Sequence, residues 1–172
     1  RHLVERLSGR DQYVNRDRIS ISIDASGEGL YAYWFAVNLG GSLMDGTILP
    51  ERDYSSNWDG PWRGASHRTE TGWSVEMLLP WSMMALPPSS TGQRQIGVYI
   101  QRAVASIDED WAYPALPRTQ NQFLSQFPKT TISDIDPKQQ ITFYPYVSSN
   151  WDQAADQTQQ KAGFDLFWRP TT

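Results

Sequence analysis

Asn57-Trp58-Asp59-Gly60-Pro61-Trp62, followed by Gly72-Trp73-Ser74-Val75-Glu76-Met77-Leu78-Leu79-Pro80-Trp81, holds four of the chain's eight tryptophans. Its second half alternates: Trp73, Val75, Met77 and Leu79 fall on one face of an extended segment, and Ser74, Glu76 and Leu78 on the other. That period predicts a half-buried strand, ended by Pro80. Glu70-Thr71-Gly72 supplies turn chemistry, with Gly72 free to take positive φ, so a strand beginning near Trp62 folds back antiparallel. The first half has no period and carries Asn, Asp, Gly and Pro. It reads as a loop that displays two indoles near the surface, and loops on a rigid sheet are where binding usually resides.

The same alternation recurs on both sides. Ile19, Ile21 and Ile23 alternate with Ser20, Ser22 and Asp24; a Gly-rich turn follows, and Tyr31, Tyr33, Phe35 and Val37 share a face of the returning strand. Residues 42–48 add a third strand before Pro50. Pro80 to Leu86 fits a short helical turn stopped by Pro87-Pro88. Residues 95–104 alternate again, and Gly97 within them predicts a close backbone approach. An acidic turn at Asp108-Glu109-Asp110 leads to Trp111, a short helix is expected near residues 122–126, and residues 141–147 form another strand in which Pro145 requires an edge or a bulge. Short strands divided by Gly/Pro turns predict an all-β, antiparallel, immunoglobulin-like β-sandwich with one or two short helical turns. Residues 1–147 are expected to form this domain. Residues 148–172 read as a polar linker and the start of a following region, with Phe164 to Arg169 as a last isolated strand.

Composition narrows the function classes. The chain of 172 residues can bury a core, and its net charge of −4 is dispersed, with no basic run to neutralise a phosphate backbone. Nucleic acid is therefore not an expected partner. Without cysteine, thiol catalysis, disulfides and zinc–thiolate sites are excluded. Two histidines do not furnish a zinc site. No phosphate loop, Gly-x-Ser-x-Gly elbow or His-Glu-x-x-His occurs. The chain opens on Arg1 rather than Met, as a processed or trimmed fragment would.

Arg16-Asp17-Arg18, the strand ending at Asp24, Tyr33 to Asn38 with Gly40, Trp58-Asp59-Gly60-Pro61-Trp62, the run from Gly72 to Trp81, and Ile96-Gly97 leading to Arg102 together resemble a known family. They are similar, over residues 16–113, to the family-9-like carbohydrate-binding domain that precedes outer-membrane barrel proteins of Gram-negative bacteria. The resemblance implies a β-sandwich whose family's first strands, N-terminal to Arg16-Asp17, are expected to be missing here, export to the periplasm or outer membrane, sugar binding without catalysis, and a chain end that enters the barrel.

Sugar rings pack their C–H faces on indoles while their hydroxyls need planar polar partners. Trp58 and Trp62 with Asn57 and Asp59, and Trp111 with Arg102, are the candidate ligand-binding residues. The bland alternative is that these indoles cap the core. No catalytic or metal-binding residue is assigned. A glycosidase would need a second carboxylate at working distance. Calcium, on Asp108, Glu109 and Asp110 or on Asp45 and Asp53, is the alternative cofactor reading, without EF-hand spacing behind it. A structural or protein-interaction domain docking on its own barrel is the alternative function. Trp151, in the polar stretch, is either a surface residue or an interfacial aromatic.

Overall fold

The computed structural model describes residues 3–5, 8–13, 15–135, 140–152 and 157–169. The chain divides into two units, Arg1–Asp136 and Pro137–Thr172.

In the first unit, β1 (Arg18–Asp24), β2 (Ala32–Asn38), β3 (Leu43–Leu49), β4 (Asp53–Ser55), β7 (Arg94–Val104), β8 (Glu109–Tyr113) and β9 (Lys129–Ile132) form one antiparallel sheet in the order β4-β3-β2-β1-β7-β8. The outer edge of β7 is shared: its first residues pair with β9, and Ile100 to Val104 pair with β8. The remaining strands, β5 (Arg63–Arg68) and β6 (Trp73–Leu78), make a separate hairpin. The architecture is all-β and sandwich-like, with two 3₁₀ turns at Trp81–Met83 and Leu124–Gln126.

The pleat sends alternate residues to opposite faces. One face of the large sheet carries Ile23, Tyr33, Phe35, Val37 and Ile96 and is covered by Trp62, Val75, Met77, Met83, Met84 and Leu86. Trp73, Val75 and Met77 face inward from β6 while Ser74, Glu76 and Leu78 are exposed, as the alternation predicts. The β5–β6 turn closes through Thr69 N–H donating to the Gly72 carbonyl at 2.9 Å, and Gly72 is not among the positive-φ glycines, so the turn does not use the freedom expected of it. The positive φ falls instead at Gly27 and Gly29, whose N–H groups donate to the buried Asp24 carboxylate at 3.0 and 2.7 Å. Gly97 does mark a close approach: a Cβ there would lie 3.0 Å from Cβ of Phe127 and 3.3 Å from that of Asp24.

The second face packs Ala32, Ile48 and Tyr99 against Phe123, Leu124 and Phe127. Tyr99 stacks on Phe127 at 5.3 Å and meets Phe123 edge to face at 5.0 Å. Two contacts tie the segment after β8 to the turn between β3 and β4, across the whole sheet. The Arg52 guanidinium donates to the Pro117 carbonyl at 3.0 Å, and the Phe123 N–H donates to the Glu51 carboxylate. The sheet is thereby held in a curl.

The second unit is a long hairpin of β10 (Gln140–Asp152) and β11 (Gln157–Arg169), paired in thirteen rows without a break. The expected boundary at residue 147 falls inside β10, and the stretch expected to be a linker supplies paired residues to both strands. Cross-strand partners rather than apolar residues hold that part extended. Its rows sort into two faces. Ile141, Phe143, Pro145, Val147, Ser149 and Trp151 share one with Thr158, Gln160, Ala162, Phe164, Leu166 and Trp168. Tyr144, Tyr146, Ser148 and Asn150 share the other with Gln159, Lys161, Gly163, Asp165 and Phe167, whose ring meets that of Tyr144 at 5.9 Å. The Tyr146 ring lies across Gly163, where any Cβ would collide with it.

Candidate functional site

The six residues singled out from sequence separate into two places. Asn57, Trp58, Asp59 and Trp62 lie on the loop between β4 and β5, which is anchored from below. Asp45 on β3 is fully buried, accepts the Gly60 N–H at 2.8 Å, and accepts a 2.6 Å bond from the Arg10 guanidinium, which also reaches Asp59 at 2.7 Å. Burial raises the Asp45 pKa; Asp11 and Asp59 add to this, and the Gly60 N–H and Arg10 oppose it. With the loop drawn down, Trp62 is 5% exposed and sits 5.3 Å from Phe35, while Trp58 is half-buried against Tyr33 at 4.9 Å and Phe35 at 5.9 Å. Gly60 passes under the Trp58 ring with no room for a side chain. The expectation of two displayed indoles is thus corrected: Trp62 is core and Trp58 packs against it. Asn57 and Asp59 remain exposed.

Asp11, Asp45 and Asp59 are, among the described residues, the carboxylates close enough to share a cation, within 4.8 Å of one another. Arg10 already supplies positive charge there. The acids expected at the β7–β8 turn diverge instead: Glu109 accepts the Trp111 indole N–H at 2.9 Å, and Asp110 pairs with Arg118 at 2.6 Å.

Arg102 and Trp111 face each other across β7 and β8 and do come together. The Arg102 guanidinium lies 5.8 Å from the Trp111 ring and 5.9 Å from that of Trp73. Trp111 is 42% exposed, beside exposed Ile100 and Tyr113, so this is an open strip on the sheet face that also bears the main core.

The larger site is on the other face and was not foreseen. A cavity of about 860 Å³ occupies the inside of the curl, within the range of ligand pockets. It exists because the central strands carry small side chains there. Rows of Gln101, Ser20, Ala36 and Met44, and of Tyr99, Ser22, Trp34 and Gly46, form its floor. Gly46 is obligatory, since a Cβ would collide with the Ser55 backbone carbonyl and lie 2.8 Å from the Trp34 indole nitrogen. Trp34 and Tyr54 meet edge to face at 6.1 Å, and Tyr54, Tyr99 and Phe123 wall one end. Arg18, Arg52, Arg118, Asp11 and Asp110 stand round the rim. Burial pushes the Tyr54 phenol up to about 12; Tyr99 adds to it, and Arg52, Arg118 and Arg18 pull the other way. Burial likewise raises Tyr99. The signal in the sequence was the outward set of β1 and β2: Ser20, Ser22 and Ala36 are too small to shield a sheet face, while Trp34 among them is too large to leave in water.

Fold and site together define an all-β, sandwich-like domain with a mixed aromatic and polar cavity on the concave face of its large sheet. No family model matches the sequence, and neither a curated protein nor a solved structure matches it.

Proposed function

We propose that the chain is a non-catalytic carbohydrate-binding domain of the family-9-like kind, carried by an outer-membrane barrel protein of a Gram-negative bacterium, and that its saccharide occupies the concave cavity. One observation carries the reading: Trp34, Tyr54 and Tyr99 offer ring surface in the same hollow as Ser20, Ser22 and Gln101, whose side chains exchange hydrogen bonds with hydroxyls. Hydrolysis is the weaker reading. It needs two carboxylates free to hold and pass a proton, whereas Asp110 is paired with Arg118 and Asp11 accepts the Asp45 N–H at 2.9 Å. Calorimetry against a panel of neutral and acidic glycans tests the proposal. Saturable binding that is weakened in Tyr54→Ala and Gln101→Ala but kept in Trp111→Ala supports it. A folded protein that binds no member of the panel ends it.

Attachment to a barrel draws support from the hairpin of β10 and β11. Barrel strands alternate apolar residues toward lipid with polar residues toward the lumen, between girdles of aromatics. On one face of this hairpin the rows from Ile141–Trp168 to Val147–Ala162 are apolar; the polar Ser149–Gln160 row follows, and Trp151, opposite Thr158, returns an aromatic ten residues along the strand from Ile141. At about 3.4 Å per residue and a tilt near 45°, the unbroken apolar rows span about 14 Å and the distance from Ile141 to Trp151 is about 24 Å, against an apolar band of about 25 Å. No helix among the described residues is long and apolar enough to cross a membrane, which leaves strands untouched.

The exposed strip of Ile100, Trp111 and Tyr113 favours a second reading, a domain that docks on its own barrel or another protein. Photocrosslinking from position 113 in outer-membrane fractions would trap that partner, and its absence there would dismiss this reading.

A further inference from the structure

The cavity carries a charge pattern that hydroxyl recognition alone does not require. Three arginines line it in a chain of net charge −4. Both acids at its rim are already matched with cations: Asp110 with Arg118 at 2.6 Å, and Asp11 with Arg10 at 3.6 Å. Arg18 and Arg52 are not. The Arg18 guanidinium lies 4.8 Å from the Tyr13 ring, and the Arg52 guanidinium 4.2 Å from that of Phe123. Neither forms an ion pair among the described residues. Arg52 is oriented by its bond to Pro117, and its Nε is buried without a hydrogen-bond partner. All three arginines line the same cavity as Tyr54.

We propose that the cavity selects an acidic saccharide, one whose pyranose carries a carboxylate, and that Arg18 and Arg52 receive this carboxylate while Trp34 and Tyr54 contact the ring. The inference rests on the reading of the cavity as a glycan site. A guanidinium presents paired N–H donors in a plane that matches a carboxylate, and being weakly hydrated it gives up water for that partner more readily than an ammonium does. Placing the anion against cations that lack acid partners offsets its desolvation; a neutral sugar leaves the same cations uncompensated. Selectivity between the two follows from both terms together.

Calorimetry on the full chain, with di- and trisaccharides of glucuronic, galacturonic and mannuronic acid beside their methyl esters, provides the test. The ester keeps the ring and its hydroxyls and removes only the charge. The expected result is a free acid that binds at least about tenfold more tightly than its ester, with the gap shrinking as salt rises. Arg18→Gln narrows the gap without weakening the ester, and Arg52→Gln, which also gives up the bond to Pro117, narrows the ratio of acid to ester affinity whatever it does to the ester itself. Arg52→Lys, with near-ultraviolet circular dichroism to confirm the fold, keeps the charge and restores part of the gap. Equal binding of acid and ester overturns the selectivity and leaves the cavity as a glycan site. A gap that survives in both glutamine variants overturns the assignment to these arginines. A sulfated sugar bound more tightly than any carboxylate form overturns the choice of anion. No binding of any sugar, neutral or acidic, removes the underlying reading as well.

Discussion

Asp45 shows how one buried carboxylate changes the meaning of a tryptophan-rich loop. Its bonds to the Gly60 N–H and to Arg10 pull residues 57–62 onto the core, so Trp62 works by packing rather than by display. Trp62→Ala is therefore expected to cost about 3–5 kcal/mol of stability, as large core truncations do, while Trp111→Ala costs under about 1 kcal/mol. Urea denaturation of the two variants separates the roles, and equal midpoints would contradict this account. The Tyr54 phenol gives a second expectation. Its pKa in the folded chain, about 12, is above the ordinary value of 10.0, so the fold favours the protonated form. That contribution is complete below pH 10 and is lost as pH rises from 10 toward 12. The ultraviolet titration of native protein minus that of Tyr54→Phe should show a phenol ionising near 12, and a difference curve centred on 10 would refute it. Neither role was legible in the sequence. The Asp45 and Gly60 contact joins residues 15 positions apart, and a loop without a period gives no sign of which way its indoles turn.

Strands were easier to read than loops, because a pleat leaves a period of two in the residues it buries. β1, β2, β6 and β7 stand close to where alternation puts them, as do the turns at Trp81–Met83 and Leu124–Gln126. The hairpin of β10 and β11 escaped in part, since Ser148, Ser149, Asn150, Gln159 and Gln160 are polar on both faces and erase the period. The pairing itself, and Tyr146 lying over Gly163, supply the register there. If the apolar face meets lipid, brominated phosphatidylcholine in vesicles should quench a share of the tryptophan emission that shrinks when Trp151 or Trp168 is replaced by Phe and disappears when both are. Quenching that is the same with and without these two tryptophans would place the hairpin in water.

At the scale of the molecule the two units differ in what stabilises them. The first buries side chains on both faces of its large sheet; the second exposes residues such as Phe143, Val147, Phe164 and Trp168 and has no second layer among the described residues. Isolated two-stranded hairpins are marginal in water. Hydrogen exchange should accordingly find amides of β1 and β7 protected and those of β10 and β11 exchanging fast in buffer, the latter slowing on transfer to detergent micelles. Uniform protection in buffer would argue against this. The acidic balance of the chain as a whole gave no hint of the cationic cavity, because charge counted along a sequence does not reveal which side of a sheet it serves.

The contacts of Arg52 with Pro117 and of Glu51 with Phe123 run from one margin of the sheet to the segment leaving the other. They act as a chord drawn across an arc. The width of the hollow is then fixed by a pair of short polar links at its mouth as well as by strand twist, so a guest of the kind proposed would meet a hollow already set to size, with little ordering left to be done on arrival.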